Sequence, residues 1–168
     1  MVKKILGNII LFLLAIGICL GVAYAGSLYS TPAIPSWYDQ LQKPDLTPPA
    51  WVFGPVWTIL YCLMGLSLYL ILQAGIRKKE VYFGLIFFIA QLVCNFTWTY
   101  LFFGLHSTFF GLIACIALWF LILLTIAQVS RFSIPAAAIQ IPYFLWVTFA
   151  VLLSYLTMTM NPLSFALF

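Results

Sequence analysis

The sequence predicts an all-α integral membrane protein that folds as one domain, a bundle of five transmembrane helices over residues 1–168. Hydrophobic residues make up 65% of the chain and charged residues only 6%, whereas about 25% of the residues of a soluble domain are charged. The apolar residues form long unbroken runs, while the strands of a membrane barrel are short and alternate between apolar and polar positions. We therefore expect helices, and we expect a lipid bilayer around them.

Five apolar runs are long enough to cross a bilayer, whose hydrocarbon core of about 30 Å needs about 20 helical residues. We place the spans at residues 5–25, 51–74, 81–103, 108–129 and 134–158. The sequence contains no evident internal repeat, which argues against a transporter built from inverted repeats.

Residues 26–50 are predicted to form a loop, because prolines recur through this segment and proline discourages helix at its own position and at the preceding one. We expect the loop to be ordered into turns rather than extended. Its neighbouring aromatic residues, Trp37 and Tyr38, leave two interpretations open. They either anchor the loop at the membrane surface or belong to a lid over a pocket.

Basic residues beside the spans predict the orientation of the chain in the membrane. If the spans alternate in direction, one side holds Lys3, Lys4, Arg77, Lys78, Lys79 and Arg131. Lys43 falls on the other side. Because positive residues favour the cytoplasmic side, we expect a cytoplasmic N-terminus and an outer C-terminus. The short tails and the N-terminal lysines favour a bacterial inner membrane.

The first span has a second interpretation, because its lysine pair, its apolar run and the triplet at residues 23–25 resemble a cleavable secretory signal. The run is longer than the apolar region of most signals, so we expect residues 1–25 to be retained. Gly17 and Gly21 form a small-residue stripe that either packs the first helix within the bundle or drives dimerisation. We expect the stripe to pack within the bundle.

The composition argues against several kinds of chemistry. The acids are Asp39, Asp45 and Glu80, and His106 is the single histidine. A paired-carboxylate site and a multi-histidine metal site therefore lack their side chains. We expect no metal, no required cofactor and no conventional acid–base enzyme, and we place His106 in a short loop on the inner side. The net charge of +4 is small and dispersed, which argues against a nucleic-acid partner.

Aromatic and polar residues recur at helical spacing in three of the spans. They are Trp57, Tyr61 and Met64 in the second span, Gln91, Asn95 and Trp98 in the third, and Tyr143, Trp146, Ala150 and Ser154 in the fifth. Polar side chains at membrane depth either join helices or line a cavity, and both interpretations stay open. The cavity is favoured because Trp57 and Trp146 are expected in the same half of the bundle as Tyr38. Such a site suits a flat apolar ligand.

Three stretches share a distinctive spacing of aromatic, proline and amide residues. They are Trp37-Tyr38-x-x-Leu41-x-Lys43-Pro44-x-x-x-Pro48-Pro49-x-Trp51-x-x-Gly54-Pro55-Val56-Trp57-x-x-Leu60-Tyr61-x-x-Met64-Gly65, then Gln91-Leu92-x-x-Asn95-x-x-Trp98 with Phe102-Phe103-Gly104, and Pro142-Tyr143-x-x-Trp146-x-x-Phe149-Ala150. Together they resemble the motifs of the TspO/translocator protein (TspO/MBR) family, once called the peripheral benzodiazepine receptor. The resemblance covers nearly the whole chain.

The resemblance implies a five-helix membrane bundle, commonly a homodimer, that binds tetrapyrroles such as protoporphyrin IX beneath the first loop. Some members also bind cholesterol or synthetic isoquinoline and benzodiazepine ligands. Carried onto matching positions, the resemblance implies ligand contacts from Tyr38, Pro48, Pro49, Trp57, Tyr61, Asn95, Trp98, Trp146 and Ala150. Cys115 is a further candidate, placed only by ungapped counting from Asn95.

The chain departs from the family pattern at several positions. They are Leu46 where Trp is frequent, Ser154 where Asn is common and Ala114 where an acid is often found. The cholesterol pattern needs a basic residue after Leu153-x-Tyr155, but no Lys or Arg follows Arg131. We therefore do not expect cholesterol recognition.

Three functions are compatible with these residues. We favour a porphyrin-binding sensor or receptor that modulates porphyrin levels or a stress response. The first alternative is a transporter of porphyrin or other hydrophobic ligands, although the spans contain no acid or base to couple transport to protons. The second alternative, suggested by the resemblance, is a light- and oxygen-dependent porphyrin-degrading enzyme in which Trp57 and Trp146 act as redox-active neighbours of the ring.

Overall fold

The structure is a computed structural model that describes residues 1–162 as a bundle of helices. The helices are α1 (Val2–Ala33), α2 (Ala50–Gln73), α3 (Lys79–Thr99), α4 (Thr108–Val129), α5 (Ile134–Ile139) and α6 (Ile141–Met160). Single π-helical turns follow α1 at Ile34–Tyr38 and α3 at Tyr100–Gly104. Within residues 1–162, five helical stretches are long and apolar enough to cross a membrane, the last formed by α5 and α6 together. No strand occurs within residues 1–162. The predicted fold class, an all-α membrane bundle, is confirmed.

The prediction of a loop over residues 26–50 is wrong for its first half, because helix continues from α1 through the π turn to Tyr38. Each proline removes only its own N–H donor. The π turn lets the Ile34 carbonyl accept from the Asp39 N–H instead. Packing holds the extension in place: Gly26 is buried against Thr99. Tertiary contact therefore outweighs the local preference of the prolines.

The fifth span differs from the predicted single helix over residues 134–158, because it is divided at Gln140. Pro142 lies in the first turn of α6, where a proline is tolerated because the N–H that it lacks has no helical partner there. The α5 half packs against α2, whereas the α6 half packs mainly against α4. The second and fifth spans are therefore in contact near α5 and diverge along α6.

The two ends of the bundle are defined by contacts between loops. At one end, called the loop end, the Gln42 N–H donates to Asn161 Oδ1 at 3.0 Å. At the other, called the basic end, Gln128 Nε2 donates to the Glu80 carbonyl at 3.1 Å, which places the connection before α3 beside the connection after α4. The basic end therefore holds the residues 77–79 and Arg131.

His106 lies at the loop end, and the expectation that it occupies the inner side with the other basic residues is wrong. Its ring stacks on Trp37 with centroids 4.9 Å apart and planes 22° apart. The reason is topological: the connections after the first and the third spans follow odd numbers of crossings and must emerge on the same side. Trp37 also packs edge-on against Phe102 at 5.3 Å, so the imidazole covers the outer face of an aromatic cluster.

The backbones of α1 and α2 approach each other closely at Gly65. A Cβ at this position would lie 2.7 Å from the Cα of Ile16. Gly17 and Gly21 would meet nothing within 4 Å, and both residues are exposed. The expectation that their stripe packs α1 within the bundle is therefore wrong. The small residue that this contact needs is on the partner helix, α2.

Candidate ligand-binding cavity

A cavity of about 300 Å³ lies between α1, α2, α3 and α6 at the loop end. This volume is at the lower limit of small-molecule sites, which run from about 300 to 1,000 Å³. Among the predicted site residues, those that line the cavity are Tyr38, Trp57, Tyr61, Asn95, Trp98, Trp146 and Ala150. The structure thus brings together side chains from four helical segments, although the first and the last of these residues, Tyr38 and Ala150, are more than a hundred positions apart in the sequence.

Three predicted site residues lie away from the described cavity lining. Pro48 and Pro49 belong to the chain that leads into α2, and Pro49 is the N-cap of that helix. Cys115 is buried in α4 with 1% exposure, and none of the described lining residues comes from α4. The ligand contacts assigned to these positions by resemblance stay predictions.

The last turns of α1 and the start of the π turn supply a wall that was not predicted from the sequence. It includes Gly26, Ser27, Ser30, Thr31 and Ile34. These residues recur at helical spacing and lead directly to Tyr38, and this spacing was the signal that could have identified them. The prolines predicted a loop here, and in a loop helical spacing does not place side chains on one face. Ser27, Ser30 and Thr31 bring hydroxyl groups to this wall.

Aromatic rings form the other walls. The Trp57 ring lies 5.6 Å from Trp98 and 5.9 Å from Tyr61. Across the cavity, Trp146 packs against Phe53 at 6.1 Å and Phe149 at 5.8 Å. Phe53, Phe102, Phe103 and Phe149 also line the space and were not predicted. Such walls offer flat π faces to a ligand ring.

The floor of the cavity is formed by Tyr61 and Asn95, which belong to a hydrogen-bonded group of three side chains; the third, Tyr143, is buried and absent from the described lining. The Tyr61 hydroxyl donates to Asn95 Oδ1 at 2.6 Å, and Asn95 Nδ2 donates to the Tyr143 hydroxyl at 2.6 Å. Asn95 is 1% exposed and joins α2, α3 and α6. Both interpretations of this amide therefore hold, because it links helices and also lines the cavity. Gln91, which is 0% exposed and does not line the cavity, serves only the contact between helices.

The cavity lining offers stacking surfaces and hydroxyl groups but no ionised side chain. No Lys, Arg, Asp, Glu or His is among the described residues that line it. The arrangement is therefore suited to hold and orient an apolar ring, with the Asn95 amide and the α1 hydroxyls as polar contacts. A chemical role for the candidate pair Trp57 and Trp146 stays a prediction.

The sequence itself identifies the family. The TspO/MBR family model matches residues 15–159 of the chain. The chain belongs to the TspO/MBR family. It is 43% identical over 156 residues to the tryptophan-rich protein TspO of Chlorobaculum tepidum, which covers 92% of this chain and 98% of that protein.

Two further relatives of this TspO/MBR chain match over most of their length. The tryptophan-rich protein TspO of Archaeoglobus fulgidus is 36% identical over 158 residues, 92% of this chain and 99% of that protein. The tryptophan-rich sensory protein of Cereibacter sphaeroides is 32% identical over 151 residues, 90% of this chain and 91% of that protein.

In this TspO/MBR protein, Lys43 organises the chain that follows the π turn. Its Nζ donates to the carbonyls of Tyr38 at 2.8 Å, Asp39 at 3.0 Å and Leu41 at 3.2 Å. The same ammonium lies 4.9 Å from the centre of the Tyr38 ring. Tyr38 is thereby fixed at the edge of the cavity, and residues 38–49, called the lid, connect it to Ala50, which also lines the cavity. That this segment opens and closes over the cavity stays a prediction.

The lid of the TspO/MBR cavity is held from the opposite side by Asn161. Besides accepting from the Gln42 N–H, this amide donates from Nδ2 to the Gln42 carbonyl at 2.8 Å and to the Thr157 carbonyl at 2.7 Å. One side chain thus pairs with both backbone groups of Gln42. The contact connects the lid to the end of α6, a helix that also lines the cavity.

Replacing Asn161 by alanine is expected to accelerate amide hydrogen exchange in residues 41–49 about tenfold. The factor corresponds to a loss of roughly 1.4 kcal/mol, which is about the net contribution of one hydrogen bond. Hydrogen–deuterium exchange with mass spectrometry measures the change. Thr159→Ala is the matched control, because the Thr159 hydroxyl bonds only within α6, to the Leu156 carbonyl. Equal exchange in the two variants would show that Asn161 does not hold the lid.

Proposed function

We propose that this TspO/MBR protein binds a tetrapyrrole such as protoporphyrin IX in the cavity and acts as a membrane sensor or receptor that modulates porphyrin levels or a stress response. The observation that carries the proposal is the convergence of Trp57, Trp98 and Trp146 around an uncharged space. A flat macrocycle gains from stacking on several rings at once. The name of the relative from Cereibacter sphaeroides, a tryptophan-rich sensory protein, agrees with a sensing role.

The ligand enters from the loop end in this proposal. A tetrapyrrole occupies more space than the cavity of about 300 Å³ provides, so the lid must move outward when the ring binds. Polar substituents then remain near the hydroxyl groups of Ser27, Ser30 and Thr31. The basic end faces the cytoplasm by the positive-inside rule, which places the cavity in the outer half of a bacterial inner membrane.

Protoporphyrin IX is expected to quench the tryptophan fluorescence of the purified protein saturably. Trp146→Phe is expected to raise the midpoint of this titration about three- to tenfold, because an aromatic contact contributes about 0.5–1.5 kcal/mol. The phenyl ring keeps part of the stacking surface but loses the rest of the indole. The midpoint of the titration is compared, rather than its amplitude, because removing a tryptophan changes the signal itself.

Trp51→Phe is the matched control for this titration. Trp51 lies on α2 like Trp57 but is 76% exposed, and it is absent from the described cavity lining. Its replacement should leave the midpoint unchanged. Quenching that does not saturate, or that is the same in both variants, would reduce the interaction to partitioning of porphyrin into the surrounding lipid or detergent.

A further inference from the structure

The fifth span is interrupted between the cavity and the basic end. The Gln140 N–H bonds to the Ala137 carbonyl at 3.1 Å, and the Phe144 N–H bonds to the Gln140 carbonyl at 3.0 Å. Pro142 has no N–H to continue the ladder across this point. The helix is divided at Gln140, and changes of helix direction are concentrated at such proline sites, so this point is called the pivot.

A second group of buried polar side chains surrounds this pivot, below the cavity floor. It is called the lower layer and consists of Ser67, Gln91 and Gln140. Gln91 Nε2 donates to Gln140 Oε1 at 3.4 Å, Gln140 Nε2 donates to Ser67 Oγ at 3.3 Å, and the Ser67 hydroxyl donates to the Ala136 carbonyl at 2.8 Å. The lower layer thus connects α2 and α3 to both halves of the fifth span.

The lower layer is coupled to the cavity floor along two helices. Asn95 follows Gln91 by one turn of α3, and Tyr143 follows Gln140 by three residues across the pivot. Asn95 and Tyr61 line the cavity, whereas Ser67, Gln91 and Gln140 are absent from the described lining. A displacement of Tyr143 therefore reaches the lower layer through Gln140, without any contact between that layer and a ligand.

The hydrogen bonds of the two groups differ in length. Those of the floor measure 2.6 Å, but the two bonds of Gln140 measure 3.3 and 3.4 Å and lie beyond the usual range for N–H···O bonds. In addition, Gln91 Oε1 is buried and has no partner. Gln140 Nε2 has a second acceptor there if it leaves Ser67. The lower layer is therefore the weaker of the two groups and the one that yields first.

We propose that Gln140 is the positioning residue that transmits occupancy of the cavity to α5 and the basic end. A ligand that bonds to the Asn95 amide competes with the Tyr143 hydroxyl, and α6 then turns about the pivot. Gln140 withdraws from Ser67 toward Gln91 Oε1, which loosens the attachment of α5 to α2. This inference rests on the proposed function and names the route by which a sensor of that kind reports across the membrane.

The test compares hydrogen exchange in residues 130–139 with and without saturating protoporphyrin IX, in the full protein in lipid nanodiscs. In the wild type, the ligand is expected to raise the exchange rate of this segment at least twofold. In Gln140→Met, which also removes the bond to Ser67, the exchange response should disappear while protoporphyrin IX still binds saturably, with a midpoint no higher than that of the wild type. Gln73→Met, at an exposed glutamine near the basic end of α2, should respond like the wild type.

Ser67→Ala separates signalling from simple damage to the fold. It removes the hydroxyl that bonds to the Ala136 carbonyl, so exchange in residues 130–139 should be raised at least twofold without ligand and should not rise further. Because coupling is reciprocal, this variant should also bind protoporphyrin IX at least twofold more tightly, whereas mere loosening of the bundle would weaken binding.

These measurements separate a failure of the coupling from a failure of ligand binding itself. Saturable quenching without any change of exchange in residues 130–139 would overturn the coupling and leave the ligand site standing. A wild-type response in Gln140→Met, or weaker binding by Ser67→Ala, would also overturn it. Quenching that never saturates would overturn both proposals.

Discussion

Gly65→Ala is expected to lower the free energy of unfolding of the bundle by about 1–3 kcal/mol, the usual cost of inserting a methyl group into a packed interface. The new Cβ would lie 2.7 Å from both the Cα and the Cδ1 of Ile16. The side-chain atom can rotate away, but the backbone atom moves only if α1 separates from α2. Such a separation also disturbs the α1 wall of the cavity. Unfolding in detergent, followed by circular dichroism against temperature or added dodecyl sulfate, measures the loss.

Gly21→Ala is the control for this prediction. A Cβ at Gly21 meets no atom within 4 Å, and alanine favours helix over glycine by about 1 kcal/mol. The control should therefore be as stable as the wild type or slightly more stable. If Gly65→Ala unfolds at the same point as Gly21→Ala, the helices do not approach as closely as the structure shows.

Asn95→Leu is expected to destabilise the bundle by about 2 kcal/mol, because it leaves the buried hydroxyls of Tyr61 and Tyr143 without the amide that bonds to them. In soluble proteins, each such loss costs roughly 1–3 kcal/mol. Hydrogen bonds between membrane helices contribute less, about 0.6 kcal/mol on average and up to about 1.7, so the lower part of the summed range is expected. The same change should weaken protoporphyrin IX binding, since the amide lines the cavity floor. Thermal unfolding and fluorescence titration measure the two effects.

Two comparisons make this prediction specific. Asn8→Leu changes an exposed asparagine on α1 and should have little effect on either measurement. Adding Tyr61→Phe and Tyr143→Phe to Asn95→Leu removes the stranded hydroxyls, and replacing all the polar partners together costs less than removing one of them. The triple variant should therefore recover stability. A triple variant that is less stable than Asn95→Leu would show that the cost arises from packing rather than from unpaired polar groups.

The sequence was sufficient to predict the membrane bundle and the meeting of Trp57, Asn95 and Trp146. Span length, apolar composition and helical spacing are local properties of the sequence. The first two identify membrane helices, and the third shows which face of a helix carries the aromatic and polar residues. The end of α1 was mispredicted because proline preference is also local, whereas the burial of Gly26 against Thr99 that opposes it depends on a residue far along the chain.

Which glycine makes a close contact was equally beyond the sequence. The pair Gly17 and Gly21 has the spacing of a packing motif, while Gly65 stands alone, and only the relative rotation of α1 and α2 decides between them. The four aromatic wall residues that were missed, Phe53, Phe102, Phe103 and Phe149, belong to a chain in which phenylalanine is abundant. Phe102, Phe103 and Phe149 fall within the quoted family motifs, but the abundance of phenylalanine gave no reason to assign any of the four to the ligand site before their position around the cavity was known.

The three hydrogen bonds from the Lys43 ammonium to backbone carbonyls affect how a charged group on a ligand would be received at the mouth of the cavity. Lys43 is the only lysine or arginine between Lys4 and Arg77, and its donors are committed to the backbone. If a ring binds as proposed, an anionic substituent on it meets an ammonium whose donors are already used, and we expect the substituent to keep its hydration. We therefore expect the proposed site to select ligands by the size and flatness of the ring, with little regard to the number of carboxylates attached to it.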